Sequence, residues 1–137
     1  MHGVSDLTAQ LQAAAMPLCA TLDIETTAFS AVEVVMTMAW SEERTTGNGI
    51  LHGGALMALA DSAGAACASL NLPAGSGGTS TIESKTNFLG AVRDGVAIAT
   101  SKPLHVGSTT IVVETEIRAG ARLVAKVTQT QAVLRRR

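Results

Sequence analysis

Asp61 is the only formally charged side chain between Arg44 and Glu83. The run Ala55 to Ala60 immediately before it is entirely apolar, and small, mostly apolar residues continue to about Leu70. These are helix-favouring residues, and a helix apolar nearly all round is buried on most sides. A carboxylate inside it is costly unless it has a partner or a use. The use open to a carboxylate is general-base or nucleophilic catalysis. Just upstream stands Gly49-Ile50-Leu51-His52-Gly53-Gly54, a glycine-rich turn carrying a histidine. A helix that starts there presents unpaired backbone N–H groups at the positive end of its dipole. Such an N–H can hold the negative charge that develops on a carbonyl oxygen, and glycine lets the substrate come close to it. Gly53 and Asp61, about two turns apart, are therefore expected to address one carbonyl. His52 has two readings, a residue of that chemistry or a capping residue that orients the turn.

Other chemistries find no support. There is no Gly-x-Ser-x-Gly elbow, no Gly-x-Gly-x-x-Gly and no Walker pattern. His2, His52 and His105 are scattered, without metal-ligand spacing, so no metal and no cofactor is expected. Cys19 and Cys67 lie in different apolar segments and read as buried free thiols of a reducing cytosol. Nucleic-acid binding is disfavoured, since the net charge is −1 and aromatics make up only 2% of the chain, too few for a stacking platform. Arg135-Arg136-Arg137 reads as a solvated basic tail, and Glu83 and Lys85 as surface or interface charges. No secretory signal is expected, because the N-terminus lacks a basic region leading into an apolar run. Gly54 to Leu70 is short for a membrane span, carries Asp61 and lacks basic flanks.

The elements that must position these residues follow from periodicity. A chain of 137 residues that is 47% hydrophobic and 15% charged suits one domain with a real core, spanning 1–137. So few charges over so much apolar surface favour an oligomer. Asp6 to Ala15 reads as a short amphipathic helix within an N-terminal extension, 1–17. From Leu18 the period becomes two, and Leu18, Ala20, Leu22 and Ile24 alternate with Cys19, Thr21, Asp23 and Glu25 as in a half-buried strand. Val32, Val34, Met36, Met38 and Trp40 repeat the pattern, and the two runs are expected to form a hairpin. Ser41 to Asn48 is a polar loop. Asn71 to Gly78 turns the chain after the apolar helix. Four more strands are expected over about Thr79–Leu89, Gly95–Leu104, Thr109–Arg118 and Arg122–Leu134. Strands and helices do not alternate, which argues against a doubly wound parallel sheet. An α+β fold, with an antiparallel sheet curled around one long central helix, satisfies the pattern.

On these residues the sequence resembles the hotdog-fold acyl-CoA thioesterases of the phenylacetate-degradation and 4-hydroxybenzoyl-CoA thioesterase type. The resemblance is carried by Gly49-Ile50-Leu51-His52-Gly53-Gly54 with Leu59-Ala60-Asp61. Further support comes from Thr81-Ile82-Glu83, Thr86-Asn87-Phe88-Leu89, Val106-Gly107-Ser108, Leu123-Val124-Ala125 and Thr128-Gln129-Thr130. It covers roughly Leu18 to Leu134.

What the resemblance implies is residue-specific. Asp61 corresponds to the catalytic carboxylate, the Gly53 N–H to the oxyanion hole, and His52 to the family's histidine. Thr81 corresponds to a hydroxyl residue contributed by the facing subunit of a homodimer or homotetramer. Gly54 and Phe88 are expected against the substrate, and His105, Val106, Gly107, Ser108, Thr109 and Thr110 around its nucleotide. The family usually has Asn or Gln six residues before the histidine. Thr46 stands there in this chain, with Asn48 the nearest amide, and either is open to that role. The implied activity is hydrolysis of an acyl-CoA in the cytoplasm. A non-catalytic acyl-CoA-binding sensor on the same fold is the alternative, although a carboxylate adds nothing to binding a neutral thioester.

Overall fold

A computed structural model describes residues 16–137, so the helix expected over Asp6–Ala15 lies outside the described residues. The chain forms α1 (Pro17–Thr21), β1 (Glu25–Phe29), β2 (Val34–Ala39), a 3-10 turn (Glu42–Arg44) and α2 (Gly53–Ser69). The strands β3 (Ser76–Phe88), β4 (Val96–Val106), β5 (Thr110–Ala119) and β6 (Arg122–Arg135) follow. Six strands make one antiparallel sheet in the order β1-β2-β4-β5-β6-β3. The long helix α2 packs across β2 to β6, which is the hotdog architecture. Alternate strand residues supply the core, among them Val34, Met36 and Met38 on β2 and Ile111, Val113 and Ile117 on β5. They meet Ala60, Ala63, Gly64 and Cys67 on α2, all buried, and their small side chains let helix and sheet lie close.

The strand expected over Leu18–Glu25 is not formed. Pro17 opens the short helix α1 instead, where its fixed φ suits a first turn and its missing N–H costs nothing. Cys19 is buried while Leu18 is 55% exposed, the reverse of the expected alternation. Asp23, at φ 55°, then turns the chain into β1. The expected hairpin forms one step later, between β1 and β2.

Two features shape the site. First, α2 is buried on most sides, as expected, but leaves one stripe open. Gly54, Met57 and Asp61 are exposed along one stripe at helical spacing. Second, β3 is an edge strand of 13 residues, and its register against β6 shifts between Thr81 and Glu83. The extra residue, Ile82, is 63% exposed, and the bulge resets which side chains face the helix. Thr79 and Thr81 face inward before it, and Ser84 and Thr86 after it.

Candidate functional site

Asp61 is exposed in the single chain, against the expectation of a buried carboxylate. One of its oxygens is nevertheless firmly held. Oδ1 accepts a hydrogen bond from Thr81 Oγ1 at 2.8 Å and another from Gln129 Nε2 at 3.0 Å. Thr81 in turn accepts from Gln131 Nε2 at 2.5 Å, and the Thr79 hydroxyl lies 3.1 Å from Gln131 Oε1. The donors thus run from β3 and β6 toward one carboxylate oxygen. Oδ2 has no hydrogen-bond partner among the described residues. Asp61, Thr81, Ser84, Met57, Gly54 and Leu18 line a groove of about 340 Å³. A second groove of about 350 Å³, sharing Leu18, Gly54 and Ala58, continues toward His52 and Arg44.

Thr81 therefore reaches Asp61 within its own chain, whereas the resemblance implied a hydroxyl from a facing subunit. The bulge at Ile82 lets it do so, because it puts Thr81 opposite Gln131 on the inner face.

The helix start is built as follows. His52 is the N-cap of α2, in extended conformation, and its Nδ1 accepts from the Gly54 N–H at 2.7 Å. Since an amide N–H only donates, His52 carries its proton on Nε2. The His52 carbonyl accepts from Ala55 and Leu56. The Gly53 N–H is left without an acceptor among the described residues. Phe88 packs beside this residue: a Cβ added to Gly53 would lie 3.1 Å from the ring. His52 has a capping job whatever else it does. Replacing it with Ala is expected to lower stability by about 1 kcal/mol, and His52→Asn, which also caps, to retain most of it. Thermal denaturation of the two variants checks this.

Gly53 and Asp61 do not face one carbonyl inside one chain. Eight residues of α-helix separate them, roughly 12 Å along the axis. The expectation that both act on the same carbonyl fails for a single chain for this geometric reason.

The remaining expected residues fall in two places. The Thr46 hydroxyl accepts from the Asn48 N–H at 3.2 Å and so closes its own turn. The Asn48 side chain is exposed and makes no hydrogen bond among the described residues. His105 and Val106 end β4, and Thr110 begins β5. The Gly107 N–H donates to the Thr110 carbonyl at 2.9 Å, so it closes the hairpin and is not free to hold an anion. A Cβ on Gly107 would meet that carbonyl oxygen at 2.9 Å, which is why glycine is needed there. Ser108 and Thr109 instead line a groove of about 430 Å³ with Ser76, Pro73, Arg135 and Arg136. The arginine tail thus lies beside the turn expected to hold the nucleotide.

Gln129 and Gln131 were not among the residues expected at the site, though both are fully buried. A signal for them exists. They share the parity of Ala125 and Val127 on β6, and an amide on an apolar face needs partners. Among the described residues no group of His, Cys, Asp and Glu is arranged to hold a metal ion. No helix of the described residues is long and apolar enough to cross a membrane. Burial pushes the Cys67 thiol up to about 11, well away from nucleophilic use near neutral pH.

Comparison with known proteins bears on the fold and the family. The chain is similar to ComA2 of Bacillus subtilis (strain 168), described as a candidate esterase, at 34% identity over 91 residues, 66% of this chain and 72% of that one. The fold is similar to that of thioesterase HI1161 from Haemophilus influenzae, with a TM-score of 0.86 and 26% identity, covering 98% of this chain and 93% of the other. It is also similar to the conserved protein PA5202 from Pseudomonas aeruginosa, with a TM-score of 0.79 and 28% identity, covering 87% and 94%. The family model described as "Thioesterase superfamily" matches residues 48–126, which takes in the helix start, Asp61, Thr81 and most of the sheet. A carboxylate held by one oxygen, on a helix whose first amide is free, is thus set in more than half a chain of matched sequence, and the protein belongs to the thioesterase superfamily.

Proposed function

We propose that the protein hydrolyses an acyl-CoA thioester to the free acid and coenzyme A. The observation that carries this is Asp61, pinned at Oδ1 by Thr81 and Gln129 and unpartnered at Oδ2 in an open groove. Oδ2 either takes a proton from the attacking water or attacks the carbonyl itself. In the first route water adds to the carbonyl and the C–S bond breaks; in the second the C–S bond breaks as the acyl group passes to Asp61 as a mixed anhydride, which water then hydrolyses. In both the sulfur leaves as the coenzyme A thiolate, which takes up the proton released from water, and the carbonyl oxygen carries negative charge in passing. The free Gly53 N–H, at the positive end of the α2 dipole, suits that charge.

Since Asp61 and Gly53 of one chain are too far apart, the complete site combines two copies. Two α2 helices running antiparallel about a two-fold axis bring Asp61 of one chain to Gly53 of the other. The exposed stripe on α2 and the exposed edge β3, with Met57, Ile82 and Phe88, offer the surface for it. Sedimentation at assay concentrations tests this, and an active monomer excludes it. A dimer that pairs again into a tetramer is compatible with the same site.

The nucleotide end is assigned to the groove of Ser108, Thr109, Arg135 and Arg136. It begins at Ser76, about 16 Å along β3 from Thr81, a span an extended pantetheine arm can cover. A free-thiol assay across aromatic, short-chain and medium-chain acyl-CoAs tests the activity. Reversing both charges, with Arg135→Glu and Arg136→Glu together, is expected to raise KM for acyl-CoA roughly tenfold. Turnover of a short thioester without the nucleotide should not change. Equal effects on both substrates remove this groove from the binding site.

A further inference from the structure

We propose that Gln129 is a positioning residue for the carboxylate, and that Gly64 is a glycine in order to make room for it. This rests on reading Asp61 as the base or nucleophile. Gln129 is fully buried in the inner face of β6, under α2. Among the described residues its Nε2 is the one buried amide that reaches Asp61, bonding Oδ1 at 3.0 Å. An ionised carboxylate only accepts, so the amide must present its NH2 and not its oxygen to Asp61. Its own oxygen, Oε1, is then left buried with no hydrogen-bond partner among the described residues. An orphaned acceptor of this kind is rare and costly, and a better-satisfied core could hold a methionine or leucine there. What the glutamine achieves in exchange is a fixed Oδ1, and with it a fixed direction for Oδ2 into the groove.

Gly64 is the second half of the device. It sits one helical turn beyond Asp61, on the buried side of α2. A Cβ built on it would overlap Gln129 Oε1 and lie 2.5 Å from its Cδ and 3.0 Å from its Nε2. Gln129 has no solvent to swing into, so any side chain at position 64 displaces the amide from Asp61. Glycine in mid-helix is otherwise a poor choice, and exchange for alanine normally stabilises. Here the amide occupies the volume that a methyl group would need.

The test uses the full chain with Gln129→Met, Gly64→Ala, Gln129→Ala with and without Gly64→Ala, and Asp61→Asn as control. Gln129→Met keeps the length and removes both the donor and the orphaned acceptor. We expect kcat to fall on the order of 10–10²-fold, as for a misplaced reacting group. KM and the affinity for a non-hydrolysable acyl-CoA analogue should stay within about threefold. The melting temperature should not fall, so kcat and stability part company, which a merely structural glutamine would not produce. Gly64→Ala should lower kcat in the same way, and adding it to Gln129→Ala should cost little more, because the clash is gone. A readout independent of turnover is the side-chain amide proton of Gln129 by NMR. It should resonate downfield in the wild type and move upfield in Asp61→Asn. Near wild-type kcat in Gln129→Met, with Asp61→Asn inactive, overturns this proposal alone. Near wild-type kcat in Asp61→Asn overturns the catalytic reading itself. An unchanged Gln129 amide resonance in Asp61→Asn overturns the contact on which the proposal stands.

Discussion

Asp61→Asn is expected to lower kcat by roughly 10²–10⁴-fold while leaving the affinity for a non-hydrolysable acyl-CoA analogue nearly unchanged. Asparagine keeps the shape, and its carbonyl oxygen can still accept from Thr81 Oγ1 and Gln129 Nε2, the two donors that hold Oδ1 at 2.8 and 3.0 Å. Folding and the groove wall are therefore preserved. What disappears is the second oxygen as a base or nucleophile, since an amide NH2 in the Oδ2 position neither accepts a proton nor attacks a carbonyl. Affinity must be measured directly, because KM equals Kd only when chemistry is slow. A variant that folds, binds the analogue and still turns over at the wild-type rate makes Asp61 structural and directs the search to Glu83, the carboxylate of β3.

The long helix and the strands after it were legible in the sequence because one element dominates. A long, mostly apolar segment of small residues has to be covered, and the strand-like runs that follow can only cover it by curling around it. The expected strands match β3 to β6 to within three residues at each end. The region before β2 was not legible, because Leu18 to Glu25 alternates as a strand would. The alternation is incidental there. Pro17 cannot donate to a ladder, and the buried residues are Cys19 and Ile24.

Within the site, Asp61 could be found because a lone charge in an apolar helix needs an explanation. Its partners could not be found with the same ease. Thr81 depends on the bulge at Ile82, and nothing in Thr79-Ser80-Thr81-Ile82-Glu83 marks where the parity resets. Gln129 and Gln131 carry a signal in their parity with Ala125 and Val127, but their partner lies 68 residues away in sequence for Gln129. Gly107 was expected around the substrate's nucleotide, yet its N–H closes the hairpin. A glycine needed to avoid the Thr110 carbonyl looks the same in sequence as a glycine needed to admit a phosphate.

Gly53→Pro is expected to lower kcat by about 10²–10³-fold, the usual cost of one oxyanion donor, with Gly53→Ala as the paired control. Proline is the one residue that deletes the N–H in question, and this is a position where the backbone accepts it. Gly53 is the first residue of α2, where proline is at home because that N–H has no intrahelical acceptor. A proline also restricts the residue before it to extended conformations, and His52 already stands at φ −63° and ψ 134°. Either new side chain meets the Phe88 ring, which a Cβ would approach to 3.1 Å. Proline and alanine thus impose a similar contact and differ in the amide hydrogen. The comparison of kcat between the two isolates the donor from the sterics. If both variants lose activity to the same extent, Phe88 packing and not the amide is what matters at position 53. If the proline variant alone is slow, mixing it with Asp61→Asn gives a further outcome that follows from the roughly 12 Å between the two residues in one chain. Each mixed dimer then contains one site with both Asp61 and Gly53 intact, built from one residue of each chain, so part of the lost activity returns on mixing. A site made within a single chain would regain nothing.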